Sequence, residues 1–198
     1  MKDIKKILTI AGSDPSGGAG MQADIKVITA HKMYAMNVST GLTVQNTTGI
    51  RDIFVIPADF IAAQIDAIYE DIQPDAVKIG MVGNDVIVRI IAEKMREKKA
   101  KNIVLDPVIA STSGCTLITS ETLFAIVDEL LPLVDIVTPN LAEAAAITGI
   151  AITDEASMLQ AAKALTERFP TAVLIKGGHL VDSADDLLYA DGKARWYK

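Results

Sequence analysis

The residues best equipped for chemistry in this chain stand at the ends of short apolar runs. Ile7 to Ala11 leads into Gly12-Ser13-Asp14-Pro15-Ser16-Gly17-Gly18-Ala19-Gly20. Later runs open into Gly80-Met81, Asp106-Pro107-Val108, Thr138-Pro139-Asn140 with Glu143 beyond it, and Lys176-Gly177-Gly178-His179. Together they offer glycine backbone for close approach, carboxylates and an amide for a hard cation, and a lysine for anionic charge. That set suits an anionic, metal-bound ligand such as a nucleotide, with a second small molecule beside it.

Each signal also has a plainer reading. Gly12 and Gly17 have P-loop spacing, but Gly18-Ala19 stands where Lys-Ser/Thr is required, so this is not a Walker A loop. Gly18-x-Gly20-x-x-Ala23 fits the dinucleotide fingerprint only loosely. The acidic residue that fingerprint needs on the next strand is replaced by Gln45-Asn46-Thr47-Thr48. A tight strand-to-helix turn would use some of these residues. Four glycines and a proline in nine positions exceed what a turn needs, which favours close ligand approach. Asn140 with Glu143 is a capping-box spacing, and from spacing alone the cap is the better account. Asp106 could simply end a strand, and Lys176 could be a solvated lysine at a strand end. Asp24 could complement a helix dipole, and Met81 could fill core. His31 reads as an exposed helical residue.

The elements that must position these groups follow from periodicity. Strand candidates are Ile7 to Ala11, Val38 to Val44, Ile53 to Ile56, Ala76 to Gly80, Ile103 to Leu105, Ile136 to Thr138 and Val173 to Ile175. Between them lie helical stripes: Ile61, Ile65 and Ile68; Ile87, Ile90, Ile91 and Met95; Leu123, Ile126, Val127 and Leu130; and Met158, Ala161, Ala162, Leu165 and Phe169. Pro57, Asn84 and Ser120 give helix start signals. Alternating strands and helices predict an α/β fold, a doubly wound, mostly parallel sheet with helices on both faces. In such sheets ligands bind beyond the carboxyl ends of the strands, where the polar clusters stand. Asp191-Gly192 between apolar runs predicts a C-terminal β-hairpin. No repeat or linker interrupts the chain, so residues 1–198 are read as one domain.

Composition narrows the partners. The chain has 198 residues, a formal net charge of −6 and no lysine- or arginine-rich block, which argues against nucleic acid. No apolar stretch approaches the ~20 residues needed to span a bilayer. A single cysteine, Cys115, excludes an internal disulfide framework, and a reducing, cytoplasmic setting is the default.

The stretch Leu8-Thr9-Ile10-Ala11-Gly12-Ser13-Asp14-Pro15-Ser16-Gly17-Gly18-Ala19-Gly20-Met21-Gln22-Ala23-Asp24 closely resembles the opening of bacterial hydroxymethylpyrimidine/phosphomethylpyrimidine kinases. These are ribokinase-like enzymes that make the pyrimidine half of thiamine. The resemblance continues through Val44-Gln45-Asn46-Thr47, Lys78-Ile79-Gly80-Met81, Asp106-Pro107-Val108, Thr138-Pro139-Asn140-Leu141-x-Glu143-Ala144 and Lys176-Gly177-Gly178-His179. It implies ATP- and magnesium-dependent phosphorylation of the pyrimidine's hydroxymethyl group, then of the resulting monophosphate. It also implies roles. Gln45 would hydrogen-bond the aminopyrimidine, with Gly12, Ala19, Asp24, Met81 and Val108 around it. Asp106, Lys176 and Gly177 would face phosphates, and Asn140 and Glu143 would lie near magnesium, which displaces the cap-only reading. A homodimer is implied as well.

One departure stands out. The family carries a His-Gly-Thr-Gly-Cys-type segment after the hairpin, whose amides form the anion hole and whose cysteine is catalytic. This sequence ends at Lys198 before such a segment, so an incomplete kinase, with that cysteine beyond Lys198, is the expectation. Ser113-Gly114-Cys115 mimics the segment at the wrong place, and Cys115 is read as non-catalytic. The alternatives are a pyridoxal kinase of the same superfamily, from which Gln45-Asn46-Thr47 departs, and a non-catalytic pyrimidine-binding fragment.

Overall fold

A computed structural model of the chain describes residues 4–109, 118–178 and 184–198. The elements in order are β1 (Lys6–Ala11), α1 (Gly20–Ala30), β2 (Tyr34–Ser39), β3 (Gly41–Asn46), β4 (Gly49–Val55), α2 (Ala58–Asp71), β5 (Ala76–Ile79) and α3 (Asp85–Glu97). There follow β6 (Ile103–Leu105), α4 (Ser120–Ala125), β7 (Ile136–Val137), α5 (Leu141–Thr148), α6 (Glu155–Arg168), β8 (Ala172–Ile175), β9 (Asp186–Ala190) and β10 (Lys193–Tyr197). Among the described residues, no helix is long and apolar enough to cross a membrane.

Eight strands form one sheet in the order β10-β9-β8-β7-β6-β5-β1-β2. From β2 to β8 every pairing is parallel, and β9 and β10 are antiparallel additions. The chain leaves β1 toward β2 on one side and later returns to β5 on the other. A topological switch point therefore lies between β1 and β5, where an open α/β sheet forms its crevice. Leu8, Ile10, Met36, Val38, Val77 and Ile79 pack with Ile61, Ile65, Ile87 and Ile91 in the core. The opposite face of the same strands presents the register partners Thr9, Asn37 and Lys78. α1 covers that face, with Asp24 on Thr9 and Met21 on Asn37.

Most helix signals are realised in the caps. The Asn84 side chain accepts from Ile87 N at 3.0 Å and starts α3. Ser120 opens α4, and Thr119 before it supplies the cap, accepting from Thr122 N at 3.3 Å. Asp191 (φ 50°) and Gly192 (φ 73°) are both left-handed, as a two-residue hairpin turn requires.

The run Val38 to Val44 is not one strand. It divides at Thr40 into β2 of the main sheet and β3, which pairs with β4 in a separate two-stranded sheet. Thr40 is fully buried and donates its hydroxyl to the Met81 carbonyl at 2.6 Å, while its carbonyl accepts from Ile56 N. These bonds bend the chain out of the sheet at a place where the β-branched pattern is uninterrupted. The fragment Ile53 to Ile56 is likewise the end of a longer strand, Gly49–Val55, whose first half is polar.

Candidate active site

A cavity of about 290 Å³ opens at the carboxyl ends of β1, β5, β6, β7 and β8. Its walls bring together Gly12, Ala19, Gln45, Met81 and Val108 with Asp106, Asn140, Glu143 and Lys176. The β3–β4 hairpin adds Thr43 and Ile50.

The glycine-rich turn is organised around Asp14, which is 2% exposed. Its carboxylate accepts from the Ser16 amide (2.9 Å) and hydroxyl (2.7 Å) and from the amides of Gly18 (3.0 Å) and Ala19 (2.8 Å). Burial by itself would raise the Asp14 pKa. The Ser16 hydroxyl and these amides outweigh it and hold the carboxyl below its ordinary value. The amides of Ser16, Gly18 and Ala19, in the turn ahead of α1, are thus spent on the protein's own carboxylate and are not a free phosphate cradle. Gly20 is obligatory here for shape: φ is +56°, and a Cβ would lie 2.5 Å from the Gly12 carbonyl oxygen. At Gly12 a Cβ would collide with the Met81 methyl, which forms the cavity floor.

The hairpin is tied to this turn. Ser13 N donates to Gly41 O at 2.9 Å, Thr43 N to Ser13 Oγ at 3.1 Å, and the Thr43 hydroxyl to Ser13 O at 2.8 Å. The β3–β4 register shifts between Val44 and Gln45: Arg51 on β4 is the extra residue, and β3 itself keeps its alternation. Gln45 shares a strand face with Thr43 and lines the cavity with it.

Charged groups run across the sheet edge in alternating sign. Asp24 accepts from Thr9 Oγ1 at 2.6 Å and lies 3.1 Å from Lys78 Nζ. Lys78 Nζ is 4.0 Å from Asp106 Oδ2, and Asp106 Oδ1 is 2.9 Å from Lys176 Nζ. The Lys176 and Asp106 side chains are 42% and 28% exposed, so the pair adds only ~0–1 kcal/mol of stability. Its consequence is positional: it holds an ammonium beside the cavity.

Glu143, only 5% exposed, completes the capping box of α5. Its Oε2 accepts from Asn140 N at 2.8 Å, while Asn140 Oδ1 accepts from Glu143 N at 2.9 Å. Among the described residues, its Oε1 has a single, long contact, 3.5 Å from Ile109 N. Burial pushes the Glu143 pKa up. The Asn140 amide and the Lys176 ammonium oppose this, and the Asp106 charge reinforces it. A buried carboxylate with one poorly satisfied oxygen beside a second carboxylate fits a small hard cation. Among the described residues no three His, Cys, Asp or Glu side chains gather as a ready-made metal cage. Magnesium suits such a place, because it takes one or two carboxylates plus phosphate oxygens.

Two expected residues are not at the cavity wall. Asp24 stands behind Lys78 and reaches the cavity only through it. Gly177 also lies off the wall: its amide donates to Asp186 Oδ1 at 2.9 Å, and the Asp185 backbone fills the space where a side chain would go. The Gly177 amide is therefore used within the fold. Cys115 and His179 lie outside the described residues. Lys78 and Thr43 line the cavity and were missed as site residues. A lysine inside the apolar strand Ala76-Val77-Lys78-Ile79 was the available signal for the first. Thr43 carried none.

The phosphomethylpyrimidine kinase family model matches residues 14–198. The chain belongs to that family. The hydroxymethylpyrimidine/phosphomethylpyrimidine kinase of Haemophilus influenzae is 43% identical, over 98% of this chain and 74% of that protein. A crystal structure of phosphomethylpyrimidine kinase from Clostridium difficile superposes with a TM-score of 0.93 at 42% identity, covering 98% of this chain and 84% of its own. An ADP complex of Bacillus subtilis pyridoxal kinase superposes with a TM-score of 0.88 at 35% identity, covering 98% and 74%. The fold is the ribokinase-like one that the sequence resemblance implies.

Proposed function

We propose that this family member transfers the γ-phosphoryl group of ATP to 4-amino-5-hydroxymethyl-2-methylpyrimidine, and again to its monophosphate, in thiamine biosynthesis. The observation that carries this reading is the polarity of the cavity. At one end Gly12, Ala19, Gln45 and Met81 are uncharged, and the carboxylate of Asp14 among them is occupied by the Ser16, Gly18 and Ala19 donors. The other holds Asp106, Lys176, Asn140 and Glu143. A flat uncharged heterocycle fits the first and a metal-bound polyphosphate the second.

In this mechanism Gln45 binds the ring edge, because an amide offers a donor and an acceptor side by side. Gly12, Ala19, Met81 and Val108 shape the slot and keep water from the hydroxymethyl group. Asp106 fixes the Lys176 ammonium, which neutralises charge on the transferred phosphoryl; such stabilisation supplies most of the rate in phosphoryl transfer. Glu143, with Asp106, would hold magnesium, and Asn140 keeps the Glu143 carboxylate in place through the cap. The metal would supply charge neutralisation of the phosphates. Asp24 acts from behind, through Lys78.

The same reading treats residues 1–198 as a single domain in a cytoplasmic setting, where ATP and magnesium are supplied. A second copy of the chain is the protein partner. Leu42, Val44 and Phe54 form an exposed apolar strip on the β3–β4 hairpin, with Leu42 and Phe54 directly paired, and this supports a homodimer.

Pyridoxal kinase is the second reading, favoured by the Bacillus subtilis neighbour. Coupled ADP release from the full-length enzyme, carrying the anion-hole segment that the family places after the hairpin, separates the two. The expected result is turnover of the hydroxymethylpyrimidine with kcat/KM far above that for pyridoxal, and comparable values would overturn the assignment.

A further inference from the structure

The Thr43 hydroxyl has a single proton and two oxygens within reach. Ser13 O lies at 2.8 Å and Gln45 Oε1 at 3.2 Å. It cannot donate to both. Ser13 is 8% exposed, and no other donor to its carbonyl is recorded among the described residues. An unsatisfied buried carbonyl is costly, and the shorter contact takes the proton. Thr43 Oγ1 then faces Gln45 with a lone pair. An amide oxygen 3.2 Å away on that side would be repelled, whereas the amide NH2 would donate to it. The backbone amide of Thr43 is already spent on Ser13 Oγ and cannot reverse this polarity.

We infer that Thr43 is a specificity-determining positioning residue: it turns the Gln45 side chain so that NH2 faces Thr43 and the carbonyl oxygen faces the cavity. Gln45 then presents an acceptor, with its remaining N–H as a donor beside it, in fixed order. The complementary ligand edge is an exocyclic amino group next to an unprotonated ring nitrogen, the edge that glutamine reads on adenine. A pyrimidine with an oxo group there presents the opposite order, acceptor then N–H donor, and is rejected. The inference deepens the proposed function and rests on it.

The experiment is calorimetric titration of 4-amino-5-hydroxymethyl-2-methylpyrimidine and its 4-oxo counterpart into the wild-type chain, Thr43→Val and Thr43→Ser. The wild type should prefer the amino compound by about 100-fold or more, as sites built on buried hydrogen bonds do. Thr43→Val frees the amide to rotate and should bring the ratio within about tenfold of unity, the room left by one weakly oriented hydrogen bond. Thr43→Ser keeps the oxygen and should keep the wild-type ratio. An unchanged ratio in Thr43→Val, or a collapsed one in Thr43→Ser, overturns the role of Thr43. A wild type that binds neither pyrimidine overturns the functional reading, and this inference with it. Thr43→Val also loosens the Ser13 tie, so a readout independent of its folding is needed. In the wild-type protein the Gln45 side-chain NH2 resonance, assigned by its loss in Gln45→Leu, should show a nuclear Overhauser effect to the Thr43 side chain. Its absence also overturns the proposal.

Discussion

Asp14 and Glu143 are both carboxylates buried at the same sheet edge, each beside the first turn of a helix, yet their environments push them in opposite directions. Asp14 accepts four hydrogen bonds from Ser16, Gly18 and Ala19 and is held below the ordinary carboxylate range. Among the described residues Glu143 accepts one short bond, from Asn140; burial and the Asp106 charge raise it. The first site is finished and consumes the turn amides ahead of α1 internally. The second, among the described residues, leaves one carboxylate oxygen with a long contact only, which suits a cation. The cavity between them has one end that holds its own shape for a neutral ring and one that waits for charge.

The largest expected effect tests the charged end. In the full-length enzyme that carries the family's anion-hole segment, Lys176→Met should lower kcat by about 10²–10³, the scale for losing one preorganised charge-stabilising group. Dissociation constants for the pyrimidine alone should stay unchanged, because Lys176 serves the phosphoryl end. A loss confined to pyrimidine binding would erase the division between the two ends.

The next effect belongs to the finished end and is one of stability. Asp14→Ala should destabilise the fold by about 2–3 kcal/mol in urea unfolding. Charge-assisted bonds contribute ~1.5–3 kcal/mol each, but the exposed Ser16, Gly18 and Ala19 amides can partly rehydrate. Asp14→Asn sharpens the test through pH. The folded-state pKa lies below the unfolded value of about 3.9, so the carboxylate's contribution is complete above that value. It is lost as pH falls through the folded pKa. The stability gap between wild type and Asp14→Asn should therefore be widest near neutrality and close in acid below pH ~4. A gap independent of pH would mean that Asp14 acts by shape and not by charge.

Much of this arrangement could be read from residue order. Every run-ending cluster does converge on one sheet edge, because parallel strands alternating with helices put all their carboxyl ends there. The hairpin at Asp191-Gly192 was legible because left-handed backbone at both positions restricts the residues sharply. What escaped depends on register and on local hydrogen bonds. Lys78 becomes a cavity residue only because β5 sets it opposite Thr9, within reach of Asp24 on α1. The division of β2 from β3 hangs on the Thr40 hydroxyl and leaves no trace in a hydrophobic pattern. The resemblance sets Gly177 toward the phosphates, but its amide goes to Asp186, a partner nine positions on that no local motif announces. The glycine turn was right in kind, but its surplus of glycine serves the Asp14 cage and the Gly20–Gly12 backbone approach as much as any ligand.

The smallest expected effect decides what the unfinished end is for. Glu143→Gln keeps an oxygen that can accept from Asn140 N and removes a buried charge that burial and Asp106 both disfavour. On the capping account alone the box survives, and turnover should not notice. A lost cap costs ~0.5–2 kcal/mol, but here the cap is retained and the desolvated charge is gone. Stability at neutral pH should therefore stay within about 1 kcal/mol of wild type, or rise. On the metal account the same substitution removes a negative oxygen ligand that a neutral amide replaces poorly for a hard cation. The magnesium concentration giving half-maximal turnover should then increase while the melting temperature holds. A lower melting temperature with an unaltered magnesium dependence would return Glu143 to the helix cap, and Asp106 would remain as the carboxylate facing the phosphates.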